Sequence, residues 1–405
     1  MPLKHSTDNL TLKAQEGSLS SRTFAVVFSV CTGKNLVKFS LVALVYCRRI
    51  FMRSKGEIIF LIFFFPIVIG FYLVYKYPLW FVDETQVAST FYWFGKSTGF
   101  WYQTIYTAIV CGIAAKVVIK GHTPYGVDKR KPLSRYQKNK FASIFLAQLI
   151  PFYLVPYYLP ALMGKPFLDN AYIPVNKNAY VYVYNGFTSL GGFAYIFLLV
   201  PIAVWFFGKR YCSWFCACGN LSETIGVTVW GNKWVRDRTP RGETAKKMEY
   251  LQYVILSFAL AFGLLIFLNT WQIFSAPDFL SSMREAQDLG VDLMFGAIVG
   301  VGAYPLLGTR IWCRYGCPLA GGMRLFGKYS KSRFKVVANN CCQGLNLCST
   351  QCPMGIDVAK YAHENGTPKR ESFGLDKSPC IGCGGCIDIC PVKALSFQTI
   401  LNPKT

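Results

Sequence analysis

Histidine is scarce in this 405-residue chain: His5, His122 and His363 are the only three, and none falls within an apolar run. A b-type haem relay needs axial ligands, most often histidine, on facing helices, so no haem is expected. Acidic residues are few, 20 against 43 Lys and Arg, and none stands at the centre of an apolar run. Buried acids mark proton and ion paths, so their shortage argues against a pump or a secondary transporter. No phosphate-binding loop or dinucleotide fingerprint follows a predicted strand, and Gly191 and Gly192 read as close helix packing. The first 23 residues lack the apolar core and small-residue cleavage site of a signal peptide, and a cytoplasmic tail is expected there.

Apolar residues are plentiful. With 53% hydrophobic and 16% charged residues, positive mean hydropathy and runs of about 20 apolar residues, the chain reads as an α-helical integral membrane protein. Six spans are expected, near 58–75, 98–119, 141–163, 187–207, 250–273 and 293–307. Pro151, Pro156 and Pro160 should kink or break the third. Before them, 24–52 is interrupted by Gly33, Lys34 and Lys38 and closed by Arg48 and Arg49, which favours an amphipathic helix lying on the membrane. The aromatic stretch from Tyr153 to Phe187 reads as an interface belt, a lid on a quinone pocket or a docking face.

The net charge of +23 invites a nucleic-acid reading, but basic residues flanking membrane spans explain it, and no nucleic acid is expected as a partner. Nine Lys and Arg lie in 1–56, seven in 119–140, eight in 209–248 and thirteen in 310–405, against five in the opposite loops. That asymmetry predicts a cell membrane protein with both termini cytoplasmic. Three parts follow: a cytoplasmic tail with its interfacial helix (1–56), a six-helix transmembrane domain (57–335) and a cytoplasmic α+β two-cluster ferredoxin-like domain (336–405).

Sixteen cysteines are too many to be incidental, and secreted disulfide scaffolds lack such spans. In 380–391, CIGCGGCIDICP, four cysteines at C-x2-C-x2-C-x3-C end in proline, the run that folds around a [4Fe-4S] cluster, the fourth thiolate going to a neighbouring cluster. Structural zinc sites usually supply two separated pairs instead. A partner run, CCQGLNLCSTQCP at 341–353, has Leu345 at its second ligand position. The pairing rule assigns Cys380, Cys383, Cys386 and Cys352 to one [4Fe-4S] cluster and Cys342, Cys348 and Cys390 to the other. Cys341 is the second cluster's candidate fourth thiolate; without it that cluster is a three-cysteine [3Fe-4S] site.

A second cysteine set sits where spans four and six end. GKRYCSWFCACG (208–219) holds Cys212, Cys216 and Cys218; GTRIWCRYGCPL (308–319) holds Cys313 and Cys317. Each C-x3-C pair is expected on one face of a helical turn, and together Cys212, Cys216, Cys313 and Cys317 would offer four thiolates to an additional cluster or metal ion. Neighbouring Arg210, Arg310 and Arg314 should depress their pKa values. Cysteine is common in apolar interiors, so packing thiols or a redox-labile dithiol are the alternative readings.

Membrane spans ending in Arg-x-x-C-x3-C elements, followed by a two-cluster ferredoxin, resemble the membrane polyferredoxins of the NapH, NosR and CcoG type over residues 190–395. Ala217 after Cys216, the extra Cys218 and Leu345 depart from that pattern. The resemblance implies a membrane iron–sulfur electron-transfer protein, such as the electron-transfer subunit of a quinol dehydrogenase or similar oxidoreductase, with quinone and a redox protein as partners. It equally implies an assembly factor that reduces copper or iron for a respiratory enzyme. Eight methionines and three histidines, dispersed, offer that second role no ion path.

Overall fold

The computed structural model describes residues 55–125, 131–163, 183, 190–228, 239–273, 277–342 and 344–399. The interfacial helix expected in 24–52 and most of the aromatic outer stretch lie outside these residues.

Five helices are long and apolar enough to cross a membrane: α1 (Lys55–Lys76), α2 (Thr98–Lys120), α3 (Arg135–Tyr157), α4 (Leu190–Phe207) and α5 (Glu243–Thr270). Their ends follow from local chemistry. Ser97 and Ser134 cap α2 and α3 by accepting from the amides of Phe100 and Gln137, each at 3.3 Å. Gly121, left-handed at φ 64°, closes α2. The prolines do not end α3 where they begin: Pro151 sits in a wide-turned segment, Ile150–Leu154, and the helical course continues to Tyr157. On the outward faces Ile59, Ile62, Phe63, Leu198, Leu199, Ile202 and Val254 are exposed, as lipid-facing residues must be.

The sixth expected span is helical but starts earlier. α6 (Pro277–Ala286) runs into a wide-turned helix, α7 (Gln287–Gly302), which is not among the five long apolar helices. The earlier start brings Asp292, just outside the span as read from sequence, into the helix, where it is buried.

After α8 (Pro318–Tyr329) the chain forms a three-stranded antiparallel sheet in the order Ser372–Phe373 (β2), Lys335–Ala338 (β1), Leu395–Gln398 (β3). Alternate residues Val336 and Ala338 are buried, packing with Met354, Ile356, Val358, Phe373 and Ile381 into a core continuous with Leu256, Ala259, Trp312 and Met323 of the helical region. The small domain is therefore fused to the cysteine-bearing end of the helices.

Candidate redox site

In the small domain, backbone freedom makes the cysteine loop. Gly382 and Gly384 are left-handed at φ 61° and 78°, and a side chain on Gly384 would run into Tyr136 and Gln137. The curl aims amides at sulfur: Gly382 N–H lies 3.4 Å from Cys380 Sγ and Ala394 N–H 3.3 Å from Cys390 Sγ. Cys352, Cys380, Cys383 and Cys386 line one cavity, walled by Val336, Ile381, Phe373 and Phe397. Burial, with a smaller contribution from neighbouring Cys352, pushes the Cys380 and Cys383 thiols up to about 12. Four thiols in a dry, apolar enclosure with amides directed at sulfur fit a [4Fe-4S] cluster, whose thiolates need replacement for lost water.

Cys342, Cys348 and Cys390 form the other grouping. Burial pushes Cys348 up to about 11, with Cys390 and Cys342 adding to the shift. Cys341 is exposed, its amide bonded to Asn339 Oδ1 at 2.9 Å, and Leu345 is exposed too.

At the membrane end, neither C-x3-C pair lies on one continuous helical turn. Cys212 is on a short helix, Tyr211–Trp214, but Cys216 is extended (φ −61°, ψ 128°) and caps the next, Ala217–Leu221. Likewise Cys313 lies in Trp312–Gly316, and Cys317 (φ −69°, ψ 116°) caps α8. Cys390 has nearly the same conformation, φ −66° and ψ 115°. Proline after Cys317 and Cys390 biases them this way; Cys216 adopts it before Ala217, so the missing proline leaves the backbone unchanged. Helix then extended cysteine is thus one device used three times, followed by a second helix at Cys216 and Cys317 and by a turn into β3 at Cys390.

The four membrane thiols act on one another. Cys313 and Cys216 both push Cys212 up, and Cys313, Cys212 and Cys216 all push Cys317 up, after burial as the main cause. The expected depression of these thiols is overturned. Burial raises Cys212 to about 12 despite Lys209 and Arg310, and it raises Cys313 as well. Two of the three arginines are otherwise engaged: Arg210 lies 4.2 Å over the Phe334 ring, and Arg314 pairs with Glu249 at 2.8 Å. Among the described residues no three His, Cys, Asp or Glu side chains converge closely enough to hold one bare metal ion. Tetrahedral zinc, at about 2.3 Å per sulfur, needs tighter convergence than a larger cubane does.

Charges hidden from the sequence bind the two thiol groups together. Glu223, fully buried, accepts from Lys140 at 2.8 Å, from Tyr125 at 3.1 Å and from Arg310. Burial works to raise this carboxyl, but Lys140 and Arg310 together outweigh it and hold it below the usual range. Lys140 also donates to Cys383 O at 3.1 Å, and Arg310 to Cys212 O at 2.8 Å. Ser213, next to Cys212, donates to Ile381 O at 2.8 Å, and Gln137 to Cys383 O at 3.0 Å. Lys140 closes the polar stretch before Phe141, and the signal in the sequence is its helical spacing with Ile144 and Ala147, which places it on the buried face of α3.

A cavity of about 580 Å³ opens on the other side of the membrane thiols, among α1, α2 and α7. Tyr72, Tyr75, Tyr102, Tyr106, Gln103 and Asp292 line it, and Cys218 and Trp312 form its inner wall. The Tyr75 and Tyr102 rings stack at 4.8 Å.

Apolar helices whose thiol-bearing ends clasp a small cysteine-rich domain define a membrane-anchored ferredoxin. Residues 374–396 match the 4Fe-4S binding domain. The chain is 24% identical over 192 residues to the ferredoxin-type protein NapH of Haemophilus influenzae, covering 47% of this chain and 62% of that one. It is 25% identical over 195 residues to an uncharacterized protein of Methanocaldococcus jannaschii (47% and 65%). It is 26% identical over 208 residues to YccM of Escherichia coli, named for electron transport (48% and 52%). The chain thus spans less than two thirds of the length of these curated relatives. No solved structure matches. These similarities support the resemblance to the membrane polyferredoxins of the NapH type.

Proposed function

We propose that this protein is a membrane-bound electron carrier, oriented with its ferredoxin domain in the cytoplasm and spanning the membrane six times. It links quinol in the bilayer to a redox partner protein. The observation that carries the reading is a continuous packed route: the cavity wall at Cys218 and Trp312, the thiols Cys212, Cys216, Cys313 and Cys317, then Ser213 bonded to the Cys380–Cys383 loop. Iron–sulfur clusters, when bound, supply one-electron transfer. One would be a [4Fe-4S] cluster held by Cys380, Cys383, Cys386 and Cys352, and the other a [3Fe-4S] or [4Fe-4S] cluster held by Cys342, Cys348 and Cys390. The membrane thiols would hold a third centre.

The chain's own residues divide the work. The tyrosines and Gln103 offer stacking faces and hydrogen bonds to a planar, lipid-soluble ring, the chemistry of a quinol headgroup. Oxidising one quinol yields a quinone, two electrons and two protons; the electrons would be accepted one at a time by the centre that Cys212, Cys216, Cys313 and Cys317 would hold, and the protons would go to water. Arg310 and Lys140, both tied to Glu223, hold the carbonyls of Cys212 and Cys383 in fixed relation.

Anaerobic purification in detergent, with iron and sulfide counted and the centres titrated by quinol and by dithionite, tests the reading. Reduction by quinol supports it. Reduction by dithionite alone, with redox cycling only on added copper, would replace it with metal handling. Thiol reagents applied outside intact cells should leave Cys380 and Cys383 unlabelled; labelling would overturn the orientation.

A further inference from the structure

Lys209 has no side-chain hydrogen bond among the described residues, although it is fully buried. Isolated ammonium groups are costly to bury, so such a group needs a compensating anion. The buried glutamates Glu223 and Glu249 are already committed. Glu223 is held by Lys140 and Arg310, and Glu249 by Arg314 and by Arg324 at 2.6 Å.

The position of Lys209 is fixed by its surroundings. Gly208, left-handed at φ 63°, packs so tightly on Phe334 of the small domain that a Cβ there would lie 2.7 Å from the ring. One residue later the chain turns: Cys212 N–H donates to Lys209 O at 3.1 Å, which puts Lys209 and Cys212 three apart on one turn. The charge of Lys209 bears on Cys212, Cys313 and Cys317, and also on Cys380 across the junction. It thus faces sulfurs from two different rings, together with the guanidinium of Arg324, which is paired with Glu249.

We infer that Lys209 is the counter-cation of an anionic centre held by Cys212, Cys216, Cys313 and Cys317, and that it stabilises the reduced form of that centre at the junction with the ferredoxin domain. This rests on the membrane centre proposed above. Four thiolates outweigh the positive core of a cluster, and every electron added deepens the negative charge. A fixed cation in a dry site is worth more to the reduced form than to the oxidised one. Its effect should be largest on the membrane centre, which presents three of the four sulfurs, and smaller on the ring containing Cys380.

The test uses the full-length protein in detergent, comparing Lys209→Met and Lys209→Gln with Lys209→Arg by spectroscopically monitored redox titration. Removing the charge should shift the reduction equilibrium of the membrane centre at least tenfold toward the oxidised form, about 59 mV for one electron. Lys209→Arg should restore it. The iron-free protein should respond the opposite way in thermal melts, Lys209→Met melting above the wild type because an uncompensated buried charge is gone. A membrane-centre signal whose potential in both neutral variants equals that of the wild type would overturn the role of Lys209 alone, as would an iron-free Lys209→Met protein that melts below the wild type. Wild-type protein showing only ferredoxin signals would overturn the membrane centre and the inference with it.

Discussion

The two sulfur-rich regions solve one problem by different means. In the loop from Cys380 to Cys390, ligands close in sequence are curled by glycines, and amides plus an apolar wall surround them. At the membrane end, Cys212 and Cys313 come from segments about a hundred residues apart, and side-chain charges, Lys209 and Arg310 with Glu223, supply the polar surroundings. A site built from contiguous backbone is carried by its own motif. A site built from converging helices depends on everything that holds those helices in register, and it breaks in more ways.

The largest effect should come from the contiguous loop. Cys383→Ser removes a thiolate from the cavity that Cys352, Cys380 and Cys386 share, and the [4Fe-4S] signal should disappear with a matching loss of iron. Retained iron and spectrum would show that this loop is not a cluster site. Replacing any one of Cys212, Cys216, Cys313 or Cys317 by Ser should instead abolish reduction by quinol while the ferredoxin signals persist, with Cys218→Ser milder. Were all four single variants to keep both iron content and quinol-dependent reduction, the membrane thiols would be packing residues.

Glu223→Gln sharpens the comparison from the other side. It leaves every thiol in place but strands Lys140 and Arg310, both buried, without their shared carboxylate. Breaking a buried ion network in this way costs about 3 to 5 kcal/mol. A clear drop in melting temperature is expected, together with weakened coupling between the two sulfur regions, since Lys140 and Arg310 hold Cys383 O and Cys212 O. A variant as stable as the wild type would mean that water replaces the carboxylate.

Acidity gives a further contrast. Cys212, Cys380 and Cys383 are each pushed up to about 12 from an ordinary value near 9. The folded, iron-free protein thus holds these protons more tightly than the unfolded chain does. That stabilisation is fully present below pH 9 and is lost as pH rises from about 9 to about 12. Loading iron and sulfide deprotonates the thiols, so assembly should release protons and strengthen with rising pH. Melting curves of iron-free protein that are flat between pH 8 and 11 would contradict this account.

How much of this was legible in the sequence follows the same division. The run from Cys380 to Pro391 and the C-x3-C pairs are visible as spacing, and the apolar runs as helices, because both are local. Ala217 and Leu345 are visible departures, and the structure separates them: Cys216 keeps its extended conformation without proline, whereas Leu345 is exposed. Lys140, Glu223 and Arg310 were not legible as a unit, since they lie 83 and 87 residues apart and meet only in the fold. Asp292 was missed because α7 begins at Gln287, ahead of the apolar run. The arginines next to the membrane cysteines misled for a similar reason, because adjacency in sequence said nothing about Phe334 and Glu249, which claim Arg210 and Arg314.

The smallest effect should come from Cys341. Sequence spacing makes it the candidate fourth thiolate beside Cys342, Cys348 and Cys390, the position Leu345 fails to fill. Its surroundings argue otherwise: it is exposed, while Cys348 is buried and feels Cys390 and Cys342. Moreover, its amide is tethered by Asn339 Oδ1 at 2.9 Å, and swinging the thiol inward would break that contact. Cys341→Ser should therefore leave iron content and spectra unchanged, and the second ferredoxin centre should show a [3Fe-4S] signal in both proteins. Conversion of a [4Fe-4S] spectrum into a [3Fe-4S] one by this substitution would make Cys341 a ligand and would show that the loop closes over its cluster once iron is bound.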